Sequence, residues 1–261
     1  MMERYIPAGV RRQLRQEAGF GCCVCGAPFV EYHHIIPWSE KQHNDPEHMI
    51  ALCPSHHTEV AKLTRQKQYD LKFTPHNIKT GQIRGTLISA ETEPSFIVGG
   101  NTYINTPKIF TYYDLPLITY DIIEGERSLS LYFPDNKFWP ELRITNNQIA
   151  ANPNNFWDID FHHNLATFRK KKGKKFLEID FRNPVAELNT ELEIRAQIFR
   201  FSPTSTNFGT NKIAGAKLVN CVAGIGFGSS RQRLLVPNFA QRIPRPLIQH
   251  KKTGELYELN A

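Results

Sequence analysis

Residues 21–57 read GCCVCGAPFVEYHHIIPWSEKQHNDPEHMIALCPSHH. Two metal-type pairs bracket this stretch, Cys22-x-x-Cys25 at the front and Cys53-x-x-His56 at the back, 27 residues apart. Inside the bracket stand His33 and His34, then His48, and His57 follows the last pair directly. Seven of the ten histidines fall in the first 80 residues, a concentration that a random surface does not produce. Two thiolates separated by two residues can share one tetrahedral zinc ion, and Gly26 permits the turn after them. Cys22, Cys25, Cys53 and His56 would complete a Cys₃His structural site. Cys23 has the wrong spacing for that task and is assigned to packing.

The elements around the bracket can be read locally. Pro7 to Ala18 predicts a helix, with Val10, Leu14 and Ala18 on one face. Arg11, Arg12 and Arg15 lie largely off that stripe, either as a solvated face or as contacts to phosphates. Phe29 to Ile36 has strand character and ends in the histidine pair. Residues 37–48 hold Pro37 and Pro46 and predict a loop. Met49 to Leu52 is a short apolar strand. A helix is expected to start near His56 with Ser55 as its cap, facing Val60 and Leu63 inward. A further helix is expected over Thr64 to Phe73. A domain this small needs a metal to hold it.

The CxxC pair, the HHIIP run, His48 five residues before Cys53 and the LCxxHH ending together resemble the HNH, or ββα-metal, nucleases. The resemblance covers about the first 75 to 80 residues. It implies phosphodiester hydrolysis, with His34 as general base and His33 and His57 as ligands of a catalytic divalent metal. His48 stands where the family usually has Asn. It would brace the loop carrying the base, or add a ligand. Relatives with a further helix histidine carry it where this chain has Ala61. The metal would then keep more waters, which suits Mg²⁺, though two imidazoles also suit Mn²⁺, Ni²⁺ or Zn²⁺. The resemblance implies DNA as partner and roles such as restriction, antiphage defence or mobile elements. An RNA-cleaving effector and a nucleic-acid-binding or assembly protein with a degenerate site are the alternatives. One site cuts one strand, so a homo-oligomer is expected.

Beyond residue 100 the chain changes character. Strand-like runs recur at Pro116–Ile123, Leu129–Phe133, Leu142–Ile149, Trp157–Phe161, Leu165–Phe168, Phe176–Phe181 and Leu192–Phe201, separated by Asn, Asp and Pro turns. The fold class expected is therefore α+β: a zinc-stapled HNH domain over 1–80, a linker over 81–100 with a strand near Gln82–Ile88, and an antiparallel β domain over 101–261, as a sandwich or curled sheet. Leu218–Gly228 is apolar and reads as an inner strand, with Cys221 as a buried thiol. Residues 229–261, with Pro237, Pro244 and Pro246, read as a loose basic tail. His43, His76 and His250 read as surface histidines, and His162-His163 as structural. Arg169, Lys170, Lys171, Lys172, Lys174 and Lys175 surround Gly173 between two strands. That run is a solvated hairpin tip or a grip on a nucleic-acid backbone.

Bulk properties set the outer bounds. The formal charge of +7 in 261 residues suits a polyanionic partner. Residues 1–80 carry ten Lys/Arg against eight Asp/Glu, and residues 201–261 carry eight against two. An odd cysteine count argues against a disulfide framework and for metal-bound thiolates in a reducing compartment. No 18-residue apolar run and no signal-like N-terminus are present, so a cytoplasmic protein with no membrane partner is expected.

Overall fold

The structure, a computed structural model, describes residues 5–87, 94–162, 164–229, 231–237 and 246–258. His163, Pro244 and Ile88, read above, lie outside them. Four helices come first, interrupted by a hairpin: α1 (Ala8–Glu17), β1 (Glu31–His34), β2 (Met49–Leu52), α2 (Pro54–Val60), α3 (Arg65–Phe73) and α4 (His76–Thr80). Strands then follow: β3 (Ile83–Thr86), β4 (Ser95–Val98), β5 (Asn101–Ile104), β6 (Lys108–Tyr112), β7 (Leu115–Ile123), β8 (Glu126–Pro134), β9 (Pro140–Thr145), β10 (Gln148–Ala151), β11 (Asp158–His162) and β12 (Leu165–Lys171). The last ten are β13 (Lys174–Asp180), β14 (Ala186–Ile194), β15 (Gln197–Ser202), β16 (Ser205–Phe208), β17 (Asn211–Ile213), β18 (Lys217–Val219), β19 (Ala223–Phe227), β20 (Gln232–Leu235), β21 (Leu247–His250) and β22 (Leu256–Glu258). The α+β reading holds: a helical, metal-binding N-terminal region precedes a β-rich region.

Two compact units divide the chain. The first joins residues 1–86 to residues 149–175, and the second joins 87–148 to 176–261. The segment drawn as a linker at 81–100 thus carries β3 and β4. Residues 149–175, which composition places with the later strands, fold into the first unit.

In that unit β1 and β2 form an antiparallel hairpin with His33 opposite Ile50 and His34 opposite Met49. All four β2 side chains are buried, in a core with Ala18, Cys22, Cys23, Ile35 and Val60. α2 begins at Pro54 with Cys53 as its N-cap, two residues earlier than expected. Pro54 has no N–H to lose there, which favours it at the first helical position. Leu63 does not face inward; it is 39% exposed.

The β11–β12 ribbon is held by α1. Arg15 is buried, not phosphate-facing as the helix pattern allowed, because Asp158 receives two bonds from it, at 3.0 Å and 2.9 Å. Burial opposes the guanidinium charge, but the Asp158 bond and the neighbouring Tyr32, Asp160 and Asp158 outweigh it and raise its pKa. The same group donates to Tyr32 Oη at 3.0 Å, so a strand residue beside His33 is anchored to a residue 126 positions further along. Arg12 stacks over Trp157 at 4.6 Å, and Arg11 donates to Tyr5.

The second unit is built of mostly antiparallel strands, with the parallel pairs β19–β6, β18–β5 and β14–β4 among them. One path runs β19-β6-β7-β8-β9, and another runs β13-β14-β15-β16-β17 with β4, β5 and β18 attached. Phe96, Tyr103, Phe110, Phe133, Phe199 and Phe201 are fully buried in it. Leu218–Gly228 is not one inner strand. It breaks into β18 and β19, which pair in parallel with β5 and β6, and of β19 only Ile225 is buried. Cys221, in the break, is half-buried. Among the described residues of the expected loose tail, three stretches form the three-stranded sheet β20-β21-β22.

Candidate metal and nuclease site

The zinc knuckle forms because its turn is closed by backbone bonds. Gly26 N–H donates to Cys22 O at 2.8 Å, and Cys22 N–H to Ala27 O at 2.8 Å. Gly26 sits at φ +76°, and a Cβ there would lie 2.3 Å from Asn77 Oδ1. Glycine is therefore required on both conformational and steric grounds. α4 closes over the knuckle: His76 N–H donates to Cys23 O, and Asn77 Nδ2 to Gly19 O at 3.0 Å.

Cys22, Cys25, Cys53 and His56 bring their ligand atoms within 4.8 Å of one another. His56 Nδ1 lies 3.2 Å from Cys53 Sγ and 3.7 Å from Cys22 Sγ, and Cys25 Sγ lies 3.9 Å from Cys53 Sγ. A tetrahedral zinc ion with arms of about 2.0 Å to nitrogen and about 2.3 Å to sulfur has edges of about 3.5–3.8 Å, so the donors fit it. His56 Nε2 lies 3.9 Å from the Glu59 carboxylate, beyond hydrogen-bond distance. Cys23 is outside the four-ligand group and is buried in the apolar core, where burial pushes its thiol up to about 12.

The histidines divide by strand alternation. Glu31 and His33 share one face of β1, and Tyr32 and His34 take the other. On the first face the His33 and His57 rings meet edge to face, centroids 5.0 Å apart. His57 Nδ1 bonds Glu31 Oε2 at 2.8 Å, and His33 Nε2 bonds Gln68 Oε1 at 3.1 Å. Both acceptors fix the proton on those nitrogens, leaving His57 Nε2 and His33 Nδ1 as the ligand-type atoms in the neutral rings. Burial holds His33 below the ordinary imidazole pKa; the Gln68 bond opposes this, and the charges of His57 and His34 add to it. Imidazole nitrogens suit a divalent cation, while among the described residues the groups that bring three or more ligand atoms within 4.8 Å are Cys22, Cys25, Cys53 and His56, and Asp45, Glu47 and His48.

On the other face His34 Nε2 bonds the backbone carbonyl of His43 at 3.0 Å. A carbonyl only accepts, so the neutral ring carries its proton on Nε2 and its lone pair on Nδ1. His34 packs edge-on against Trp38 and His43.

His43 holds a place in the structure that the sequence did not disclose. It is 4% exposed, not a surface histidine. Its Nε2 donates to Ile36 O at 3.0 Å, and its Nδ1 accepts from Asp45 N–H at 3.2 Å. Its ring thus pins the loop whose own carbonyl orients His34. His48 turns elsewhere: its Nδ1 bonds Tyr69 Oη at 2.7 Å, and its Nε2 lies 3.9 Å from Asp45. His43 makes side-chain bonds across the loop, and the His48 side chain ties the hairpin to α3. With Asp45 and Glu47, His48 also forms a second small group of potential ligand atoms.

Residues 22–62 match the family model of the HNH endonucleases. The matched HNH segment spans both metal-type pairs, the histidine hairpin and α2. No curated protein and no solved structure matches the chain. α3, which supplies Gln68 and Tyr69, lies beyond the matched HNH segment.

Replacing His43 tests the brace. His43→Ala leaves the Asp45 N–H and the Ile36 carbonyl without their partner, at a cost of about 1–3 kcal/mol. We expect thermal unfolding to begin earlier and cleavage to fall, while His48→Asn leaves cleavage within a few-fold. Equal, small effects of both substitutions would remove His43 from the role.

Of the other expected contacts, Lys171, Lys172, Lys174 and Lys175 are exposed around Gly173, with Arg169 and Lys170 half-buried. Arg169 is drawn back to Asp158 at 3.3 Å. Among the described residues no helix is long and apolar enough to cross a membrane.

Proposed function

We propose that this chain is a metal-dependent endonuclease that hydrolyses phosphodiester bonds in DNA. The observation that carries the reading is the fixed tautomer of His34. Its Nε2 proton is committed to the His43 carbonyl, so Nδ1 is the atom that takes the proton of the attacking water. His33 and His57 would hold the divalent cation. When bound, that cation neutralises charge on the phosphate and on the departing oxygen. Glu31 and Gln68 orient the two ligating rings, and the Cys₃His site fixes the start of α2, which carries His57. The net charge of +7 favours a polyanionic substrate. A place in restriction, antiphage defence or a mobile element follows from family analogy.

The test is plasmid cleavage by the full chain with Mg²⁺, Mn²⁺, Ni²⁺ or no added metal. We expect nicked and linear DNA only where a divalent metal is supplied. Cleavage of RNA alone would move the substrate to RNA. A chain that cuts neither under any of these metals is not a self-sufficient nuclease.

A further inference from the structure

The loop before β2 gathers three metal-type side chains within four positions. It makes one 3₁₀ turn, Pro46–His48, with Asp45 directly ahead of it. Residues three apart eclipse in such a turn, so Asp45 and His48 stand on one side of it. Glu47 joins them: one ligand atom from each of the three lies within 4.8 Å of the others. The group shares no residue with the Cys₃His site or with the His33–His57 pair.

Charge and imidazole geometry set this group apart from an ordinary acidic turn. Among the described residues neither carboxylate has a lysine or arginine partner: Asp45 Oδ1 accepts from Glu47 N–H at 3.1 Å, and Asp45 Oδ2 lies 3.9 Å from His48 Nε2. Lys72, which lines the same cavity as Glu47, is paired with Glu17. Two carboxylates this close repel, and a cation between them turns the repulsion into attraction. The imidazole is held from behind, its Nδ1 bonded to Tyr69 Oη at 2.7 Å. With Nδ1–H donating to the phenol oxygen, the lone pair lies on Nε2. At 3.9 Å, Nε2 faces the Asp45 carboxylate without a hydrogen bond. A ring fixed through one nitrogen, with the other turned to an anionic oxygen it does not bond, is the arrangement of a ligating histidine. Octahedral ligands about 2.1 Å from an ion stand about 3.0 Å apart as neighbours and about 4.2 Å apart across it. The 3.9 Å separation lies between the two. Glu47 and His48 also line a cavity of about 730 Å³ with Tyr69, Lys72 and Phe73, which gives an ion an entry path and room for bound waters.

We propose that Asp45, Glu47 and His48 bind a first-row divalent cation of the Mn²⁺ class, in a site separate from zinc and from the His33–His57 pair. Two carboxylates and an imidazole make a mixed oxygen–nitrogen donor set, which favours such an ion over Mg²⁺ and Ca²⁺. An ion held there ties Asp45 to His48 across the turn, and the Asp45 N–H is the group that holds His43 Nδ1 at 3.2 Å. The site goes beyond the nuclease reading and does not depend on it: it stands or falls on metal binding, whether or not the chain cuts DNA.

The experiment is a Mn²⁺ titration of the zinc-loaded full chain, with free Mn²⁺ read from its electron paramagnetic resonance signal. The chain carrying His33→Ala and His57→Ala lacks the other histidine pair and should still bind Mn²⁺. Adding Asp45→Asn and Glu47→Gln keeps the shape of both side chains and should weaken that binding by at least about 10-fold. Zinc retained by each variant shows that the first unit stays folded. A second measurement needs no substitution: on the unaltered chain, Mn²⁺ should slow amide exchange at Glu47 and His48, whose N–H groups bond Asp45. Mn²⁺ affinity that survives the two amide substitutions, or that disappears with His33 and His57 alone, overturns the proposal. Exchange at Glu47 and His48 that Mn²⁺ does not alter overturns it as well. Plasmid cleavage reports separately on the nuclease reading.

Discussion

Replacing His34 with Ala should lower the rate of phosphodiester cleavage by about 10²–10⁴-fold, the range a positioned general base contributes. The loss should persist at any metal concentration, because in this reading His34 takes a proton and binds no metal. His33→Ala or His57→Ala should behave differently. Each removes a ligand-type nitrogen, so activity should fall at low metal and recover in part as Mg²⁺ or Mn²⁺ is raised. Zinc content should stay the same in all three variants, since none of them alters Cys22, Cys25, Cys53 or His56. The measurement is cleavage rate against metal concentration, with zinc assayed on each sample. If His34→Ala is rescued by metal, its imidazole is a ligand and the base lies elsewhere. If His34→Ala cuts at the wild-type rate, the fixed tautomer has no catalytic consequence.

The metal chemistry was legible in the sequence because it is local. Zinc demands thiolates and imidazole at short, fixed spacings, and all four ligands fall within one 35-residue stretch. The different surroundings of His33 and His34 were equally legible, since adjacent strand residues must face opposite ways. What stayed hidden depends on distant or backbone partners. His43 works through two main-chain groups and a carbonyl of its own, and nothing in a loop of polar residues marks which imidazole will be buried. Arg15 follows the helical pattern of an exposed arginine, yet its partner Asp158 is 143 residues away. Residues 149–175 look like the strands around them in composition, and only that partner shows which unit they join. The apolar run Leu218–Gly228 misled for a related reason. Hydrophobicity signals burial on average, but edge strands paired in parallel, as β18 and β19 are, can carry apolar residues into solvent.

Removing zinc should be the most destructive perturbation of the first unit. Its core is small, with Ile35, Ile50, Leu52 and Val60 among its few large apolar members, and three of the buried residues in it are cysteines. Structural zinc in small domains supplies about 10–16 kcal/mol of apparent binding free energy, which is folding free energy when the ligands lie far apart in the unfolded chain. A whole domain is stable by only about 5–15 kcal/mol. Losing the ion therefore exceeds the reserve. Cys25→Ser, or a strong chelator, should release about one zinc per chain and unfold the hairpin and α2. Zinc binding displaces thiol protons, so mild acid should hasten the loss. Cys23→Ser serves as the contrast: it sits in the same knuckle, outside the ligand set, and should keep its zinc while losing some packing. Amide exchange resolved along the chain is the measurement. Protection should vanish over residues 22–60 in the zinc-free protein and persist through β13–β17. Retention of protection across 22–60 without zinc would show that Arg15, Asp158 and the apolar core hold this unit unaided. The Cys₃His cluster would then be a binding site without a structural role.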